Sequence, residues 1–147
     1  METPRIATWI GVLDSGDELE PGALGAVAIV LDAAPDADVI YTDEQWPAEG
    51  AEGVVTKPDY LPHHLLAADY LGRLCLMRAT VLAEVGGFSA GAGEGAEWDA
   101  HLRVTERSAR VRHVPVVAVT RPAPPHHDDE ATAAGLRAVS GRVDRSG

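Results

Sequence analysis

Two short apolar runs in this sequence each end in a knot of acids, with a helical segment between them. The first is "TWIGVL" at 8–13, followed at once by Asp14, Asp17 and Glu18. The second is "DVIYTDEQ", rich in β-branched and aromatic residues and again closing on acids, Asp43 and Glu44. A strand with no polar alternation, such as 8–13, is what a parallel sheet produces when helices cover both of its faces. The intervening "EPGALGAVAIVLDAAPDAD" places Pro21 where a first helical turn tolerates proline, and Pro35 where a helix would stop. Leu24, Val27, Ala28 and Leu31 recur at i, i+3, i+4 and i+7, the spacing of one helical face. Strand, helix, strand in this order favours a right-handed crossover joining a parallel pair. Parallel strands share a carboxyl edge, so the two groups of acids are expected to face the same way.

The rest of the chain continues the α/β pattern. "PAEGAEG" reads as a turn or loop and "VVTKP" as a short strand. "LPHHLLAADYL" reads as a short helix opening at Pro62, and "RLCLMR" as a strand. "TVLAEVGGF" looks like a short helix closed by Gly86 or Gly87. After the glycine-rich "SAGAGEGA", the segment "EWDAHLRVTERSA" gives a second helix with Trp98, Leu102 and Thr105 along one side. "HVPVVAVT" reads as a last strand, and "RPAPPHHDDE" as a proline-rich linker before a terminal helix over 129–143. The domain therefore spans 1–121, with the linker and weak helix in 122–147.

Composition narrows the function classes. With 147 residues the chain suits one domain with a real core. No apolar run reaches the roughly 20 residues that cross a bilayer. The first residues lack the basic region and apolar core of a signal peptide, and the single cysteine, Cys75, forbids an intrachain disulfide. The expected location is the cytoplasm, with Cys75 as core packing. A net charge of −11 disfavours nucleic acid, whose binding rests on Lys and Arg neutralising phosphates. His63 and His64 stand in tandem, where helical side chains diverge, and "HHDD" at 126–129 has no second cluster at a zinc-like spacing. "GAGEG" at 91–95 lacks the strand-loop-helix context of a phosphate-binding motif.

Several of these pieces line up with one family. The order "WIGVLDSGDEL", "ADVIYTDEQ", "KPDYLPHHLLAADYLGRLCLMR", "EVGGF", "EWDAHLRVTER" and "HVPVVAV" resembles family 2 glycosyltransferases. More narrowly it resembles the bacterial branch that decorates rhamnose-rich cell-surface polysaccharides. The tail "EATAAGLRAVSGRV" resembles the helix that follows the catalytic domain there. The resemblance implies a GT-A fold, an α/β sandwich on a mixed sheet, and transfer of a sugar from a nucleotide-diphosphate sugar to a hydroxyl acceptor. It also implies a divalent cation, manganese or magnesium, held by acids to offset the charge of the leaving diphosphate. A carboxylate across the site would take the acceptor's proton.

Carried over residue by residue, the resemblance makes Asp14 the first acid of the metal motif. The second acid falls on Gly16, and Asp17 is the substitute ligand. Glu97, in the pair Ala96–Glu97 before Trp98, takes the place of the catalytic base. Trp98, Asp99 and Asp43 are the expected acceptor-binding residues. Glu44 shares their edge, and a polar rim is the other reading for it and Asp43. The bland reading of Trp98 is core packing. After the last strand "VTRP" offers only Arg121 where the family places a late ligand. Because Met1 stands only a few residues before the first strand, the expected fold is a truncated GT-A-like mixed sheet lacking most of its nucleotide-binding half.

Two functional expectations follow. One is a transferase completed by a second chain or by self-association, as a homodimer or a heteromer, with "TWIGVL" near the joint because exposed strand edges pair readily. The other is a non-catalytic binding or assembly module on the same scaffold. No Ser-His-Asp or Cys-His arrangement with supporting context suggests a different chemistry.

Overall fold

The computed structural model describes residues 7–47, 53–89 and 95–124, together with 137, 139–141, 144 and 145. The element order is β1 (Trp9–Ile10), β2 (Glu18–Leu19), α1 (Ala23–Ala33), β3 (Val39–Gln45), β4 (Val54–Val55), α2 (Pro62–Ala67), β5 (Cys75–Arg78), α3 (Ala79–Glu84), α4 (Ala96–Arg107) and β6 (Val111–Thr120). The sheet runs β1-β5-β3-β6-β2, with β4 beside β3. Only β3 and β6 pair in parallel, and the other pairings are antiparallel. Among the described residues no helix is long and apolar enough to cross a membrane. The glycine-rich stretch and most of the expected terminal helix lie outside the described residues.

Central β3 follows from its composition. Val39 and Tyr41 enter the cluster that holds Leu65, Leu71, Cys75, Met77, Leu102 and Val104, under α2, α3 and α4. Ile40 points the other way, to Val27, Ala37 and Val114 under α1. Successive strand residues face opposite sides, so a strand covered twice must be apolar throughout. Cys75 is buried and free.

Three expectations need correcting. The run 8–13 is not a buried parallel strand; it contributes the two-residue edge strand Trp9–Ile10, antiparallel to β5, and Ile10 and Leu13 stay exposed. Nor do β1 and β3 pair. The crossover through α1 is present, but β5 lies between them, because a later segment supplies an antiparallel partner for both. Finally, α1 buries Ala23 and Val27, with Ala26, Val30 and Leu31 packed alongside, while Leu24 is 58% exposed and Ala28 faces solvent. The face is selected by packing on Ile40, Ala37 and Val114. Pro21 stays outside, and Gly22 caps the helix at φ 79, so the first turn begins at Ala23.

Proline shapes the other half of the sheet. Pro115 lies inside β6 beside β3, at a point that the pairing with β2, confined to Val119 and Thr120, does not reach. The register answers with a bulge: Thr42 pairs with Val114, but Asp43 pairs with Val117 and Glu44 with Val119. A residue without an N–H cannot serve the ladder, and the slip falls beside the two acids of β3.

The burial face of α1 can be tested directly. Val27→Ala is expected to cost about 2 kcal/mol for two buried methyl-sized groups, and Leu24→Ala less than about 0.5 kcal/mol. Urea unfolding measures both, and an equal or larger loss for Leu24 would put the buried face elsewhere.

Candidate functional site

The acids that follow β1 are held by a tight turn. The Asp17 N–H donates to the Asp14 carbonyl at 3.0 Å, and Gly16 sits at φ 90 between them. That positive φ is what the third position of such a turn requires and what glycine accepts without strain. The Asp17 carboxylate closes the loop by accepting the Asp14 N–H at 2.8 Å. Gly16 thus supplies no ligand, but its turn brings the Asp17 carboxylate back beneath Asp14.

Both acids meet Arg73, a residue to which sequence reasoning gave no role. Its Nη2 donates to Asp14 Oδ2 and its Nη1 to Glu97 Oε2, while Nε donates to Asp17 Oδ2 at 3.0 Å. Three elements are joined at one guanidinium: the turn after β1, the entry to β5, and the first turn of α4. Exposure is uneven, with the side chains of Asp17, Arg73, Glu97 and Asp14 at 2%, 10%, 22% and 59%. Burial raises the Glu97 carboxyl above its ordinary value, against the lowering pull of Arg73 and His101. Burial opposes the Arg73 charge, but Glu97, Asp14 and Asp17 outweigh it and hold the guanidinium more firmly protonated.

A second polar layer fixes Arg73. Lys57, the sole lysine of the chain, is buried and donates from Nζ to the carbonyls of Leu71 and Arg73, each at 2.8 Å. The Arg73 N–H donates to Glu44 Oε2 at 3.2 Å, and Arg121 Nη1 lies 3.7 Å from the same oxygen. Between Leu71 and Arg73, Gly72 adopts φ 48, and a Cβ there would stand 3.1 Å from Glu44 Oε1 and 3.2 Å from Lys57 Nζ. Asp43 accepts the Lys57 N–H at 2.9 Å and lies 2.8 Å from His113 Nε2. His113 in turn stacks on Tyr41, with ring centroids 4.7 Å apart.

The structure therefore unites Asp14, Asp17 and Glu97 directly. Asp43 and Glu44 lie in the supporting layer, inside β3 and buried rather than on its rim. Trp98 and Asp99 are engaged nearby. The Trp98 indole donates to the Leu65 carbonyl at 2.8 Å and packs against the core. Asp99 accepts from Arg103 at 2.8 Å and from Ser89 at 3.0 Å, and Arg103 also donates to the carbonyls of Val85 and Gly87. Signals for the missed residues existed. They are a lone arginine within the apolar "YLGRLCLM", and a single lysine in a strongly acidic chain.

The donor set fits a divalent cation poorly. Asp17 is buried and spent on a backbone N–H and Arg73, Gly16 has no side chain, and Asp14 is the one open carboxylate of the turn. Among the described residues no group of three or more acid, histidine or cysteine side chains is placed to hold a metal ion.

The mixed sheet between helices has a glycosyltransferase-like fold, and similarity to known proteins points the same way. No family model matches the chain. It is 32% identical over 148 residues to the O-antigen biosynthesis protein RfbC of Myxococcus xanthus, an alignment taking in 95% of this chain and 12% of that protein. With the uncharacterized protein y4gI of Sinorhizobium fredii it shares 36% identity over 110 residues, 72% of this chain and 12% of that one. The crystal structure of S. aureus TarS 1-349 has the same fold at TM-score 0.67 and 13% identity, covering 92% of this chain and 40% of that chain.

Behind Glu97 on α4, His101 is buried with its Nδ1 2.8 Å from Asp69 Oδ1. Burial opposes the imidazolium, but the Asp69 carboxylate and Cys75 outweigh it and raise the His101 pKa well above 6.5. A pKa raised on folding stabilises in full below the unfolded value and ceases to do so as pH rises through the folded one. The urea-midpoint gap between wild type and Asp69→Asn is therefore expected to be widest near about pH 6 and to narrow toward about pH 10. A gap that does not vary with pH would mean that His101 is neutral.

Proposed function

We propose that this domain is the acceptor side of a family 2, GT-A glycosyltransferase acting in the assembly of a cell-surface polysaccharide. The observation that carries the reading is the meeting of Asp14 and Glu97, remote in sequence, on the one guanidinium of Arg73. Similarity to an O-antigen biosynthesis protein supports the polysaccharide class. In the reaction, the acceptor hydroxyl gives its proton to Glu97 as its oxygen bonds the anomeric carbon of the donor sugar. The bond from that carbon to the diphosphate breaks, and the electron pair leaves with the diphosphate. A carboxyl raised by burial is a stronger base than an ordinary one at neutral pH, which suits Glu97 to this role. The donor side comes from another segment, another chain or a second copy. The edge strand β1, with Ile10 36% exposed, is the natural place for it to join.

A second reading, a non-catalytic saccharide-binding or assembly module, is favoured by one feature: Arg73 already engages both Asp14 and Glu97. Incorporation of labelled sugar from a panel of nucleotide-diphosphate sugars into saccharide acceptors separates the two. The expectation is product, with Glu97→Gln lowering kcat by about 10²–10⁴-fold and leaving the acceptor KM little changed. Saccharide binding without incorporation from any donor would select the module. Full activity in Glu97→Gln would remove Glu97 from the chemistry.

A further inference from the structure

We infer that Arg73 takes the place of a divalent cation in this site, so that the domain engages a donor diphosphate without metal. This rests on the sugar-transfer reading above. A divalent ion needs open carboxylate oxygens converging on one point. Here the point of convergence is a guanidinium, with Asp17 on Nε, Glu97 on Nη1 and Asp14 on Nη2. The Asp14 N–H and the Arg73 Nε both donate to Asp17 Oδ2, which cannot turn to a metal without giving them up, inside a space where the side chain is 2% exposed.

Arg73 is also built in rather than passing through. Lys57 grips the carbonyls of Leu71 and Arg73, and Glu44 takes the Arg73 N–H, so the backbone that aims the side chain is clamped on both sides. A guanidinium does not lose its charge at any pH that the protein meets. Withdrawing it would leave the buried carboxylate of Asp17 without its counter-charge.

Three of its five N–H groups are engaged by the acids, which leaves donor capacity on both Nη atoms. Asp14 is the outermost partner, with its side chain 59% exposed. Carboxylate and phosphate oxygens are equivalent partners for a guanidinium fork. A diphosphate arriving from solvent displaces Asp14 first and is bound by Arg73, while Asp17 and Glu97 keep the arginine in place. Asp14 is then a competitor of the diphosphate and not its helper, the reverse of what a metal ligand would be.

That reversal supplies the test. Equilibrium dialysis of the full chain against labelled inorganic pyrophosphate, in EDTA and in manganese, compares wild type with Asp14→Asn and Arg73→Lys. The expected result is binding in EDTA that manganese changes by less than about twofold. Asp14→Asn is expected to tighten it about threefold by removing the competing charge, and Arg73→Lys to weaken it about tenfold by removing the fork. The Asp14 variant alters an exposed side chain and decides the matter even if the Arg73 variant fails to fold. Binding that requires manganese and is lost in Asp14→Asn would overturn the inference and leave sugar transfer standing. No binding in either condition would overturn the inference alone, because the sugar-transfer reading stands or falls by the incorporation of labelled sugar.

Discussion

One buried guanidinium allows the candidate site to exist. Three carboxylates within reach of one another repel, the more so where water is partly excluded. A chain with net charge −11 has few cations to spare for the purpose. Arg73 converts that repulsion into a network by giving each acid its own nitrogen. The turn after β1, the entry to β5 and the start of α4 depend on it together. Asp17, the most deeply covered of the three acids, has its side chain 2% exposed against this guanidinium.

The sheet explains why Arg73 stands where it does. β3 is covered on both faces, and its apolar residues end at Thr42. The acids that follow, Asp43 and Glu44, are buried where the ladder with β6 shifts register. Asp43 then takes the N–H of Lys57, and Lys57 and Glu44 between them hold the backbone of 71–73. The path from core to site is thus continuous: apolar strand, buried acids, buried lysine, left-handed glycine, arginine. Glycine suits position 72 in that path, since its φ of 48 strains any other residue and a Cβ would press on the ends of the Glu44 and Lys57 side chains.

What was legible in the sequence follows the range of the forces involved. Helices α1, α2, α3 and α4 and strands β3, β5 and β6 were readable because local periodicity, proline and glycine determine them. The neighbour relations were not. Inserting β5 between β1 and β3 depends on a segment more than one crossover away, and no local pattern carries that information. The burial face of α1 slipped because the packing on Ile40, Ala37 and Val114, remote in sequence or set by the sheet, selects Val27 and its neighbours. For the site, Asp14 and Glu97 were readable through a family resemblance, but Arg73 was not, since an arginine within an apolar run looks the same whether it is a core neighbour or a surface exception. Lys57 was more legible than it was taken to be. A chain that uses lysine once, among 23 acids, has a specific place for it.

The turn at Gly16 bears on how such a site changes. Read as a motif, glycine in the place of an acid is a deletion of a ligand. In the folded chain it is a conformational change as well, because φ 90 at Gly16 brings Asp17 back beneath Asp14. The acid is displaced by one residue, and its Oδ2 accepts both the Asp14 N–H and the Arg73 Nε. An arginine at 73 and a glycine at 16 therefore explain each other. Without the arginine, the Asp17 carboxylate would be buried and unmatched. Without the turn, the guanidinium would lack the one contact that fixes its Nε and so the plane of its fork. The two residues form one electrostatic unit, and the charge of the cleft is a property of that pair before it is a property of any ion added to it.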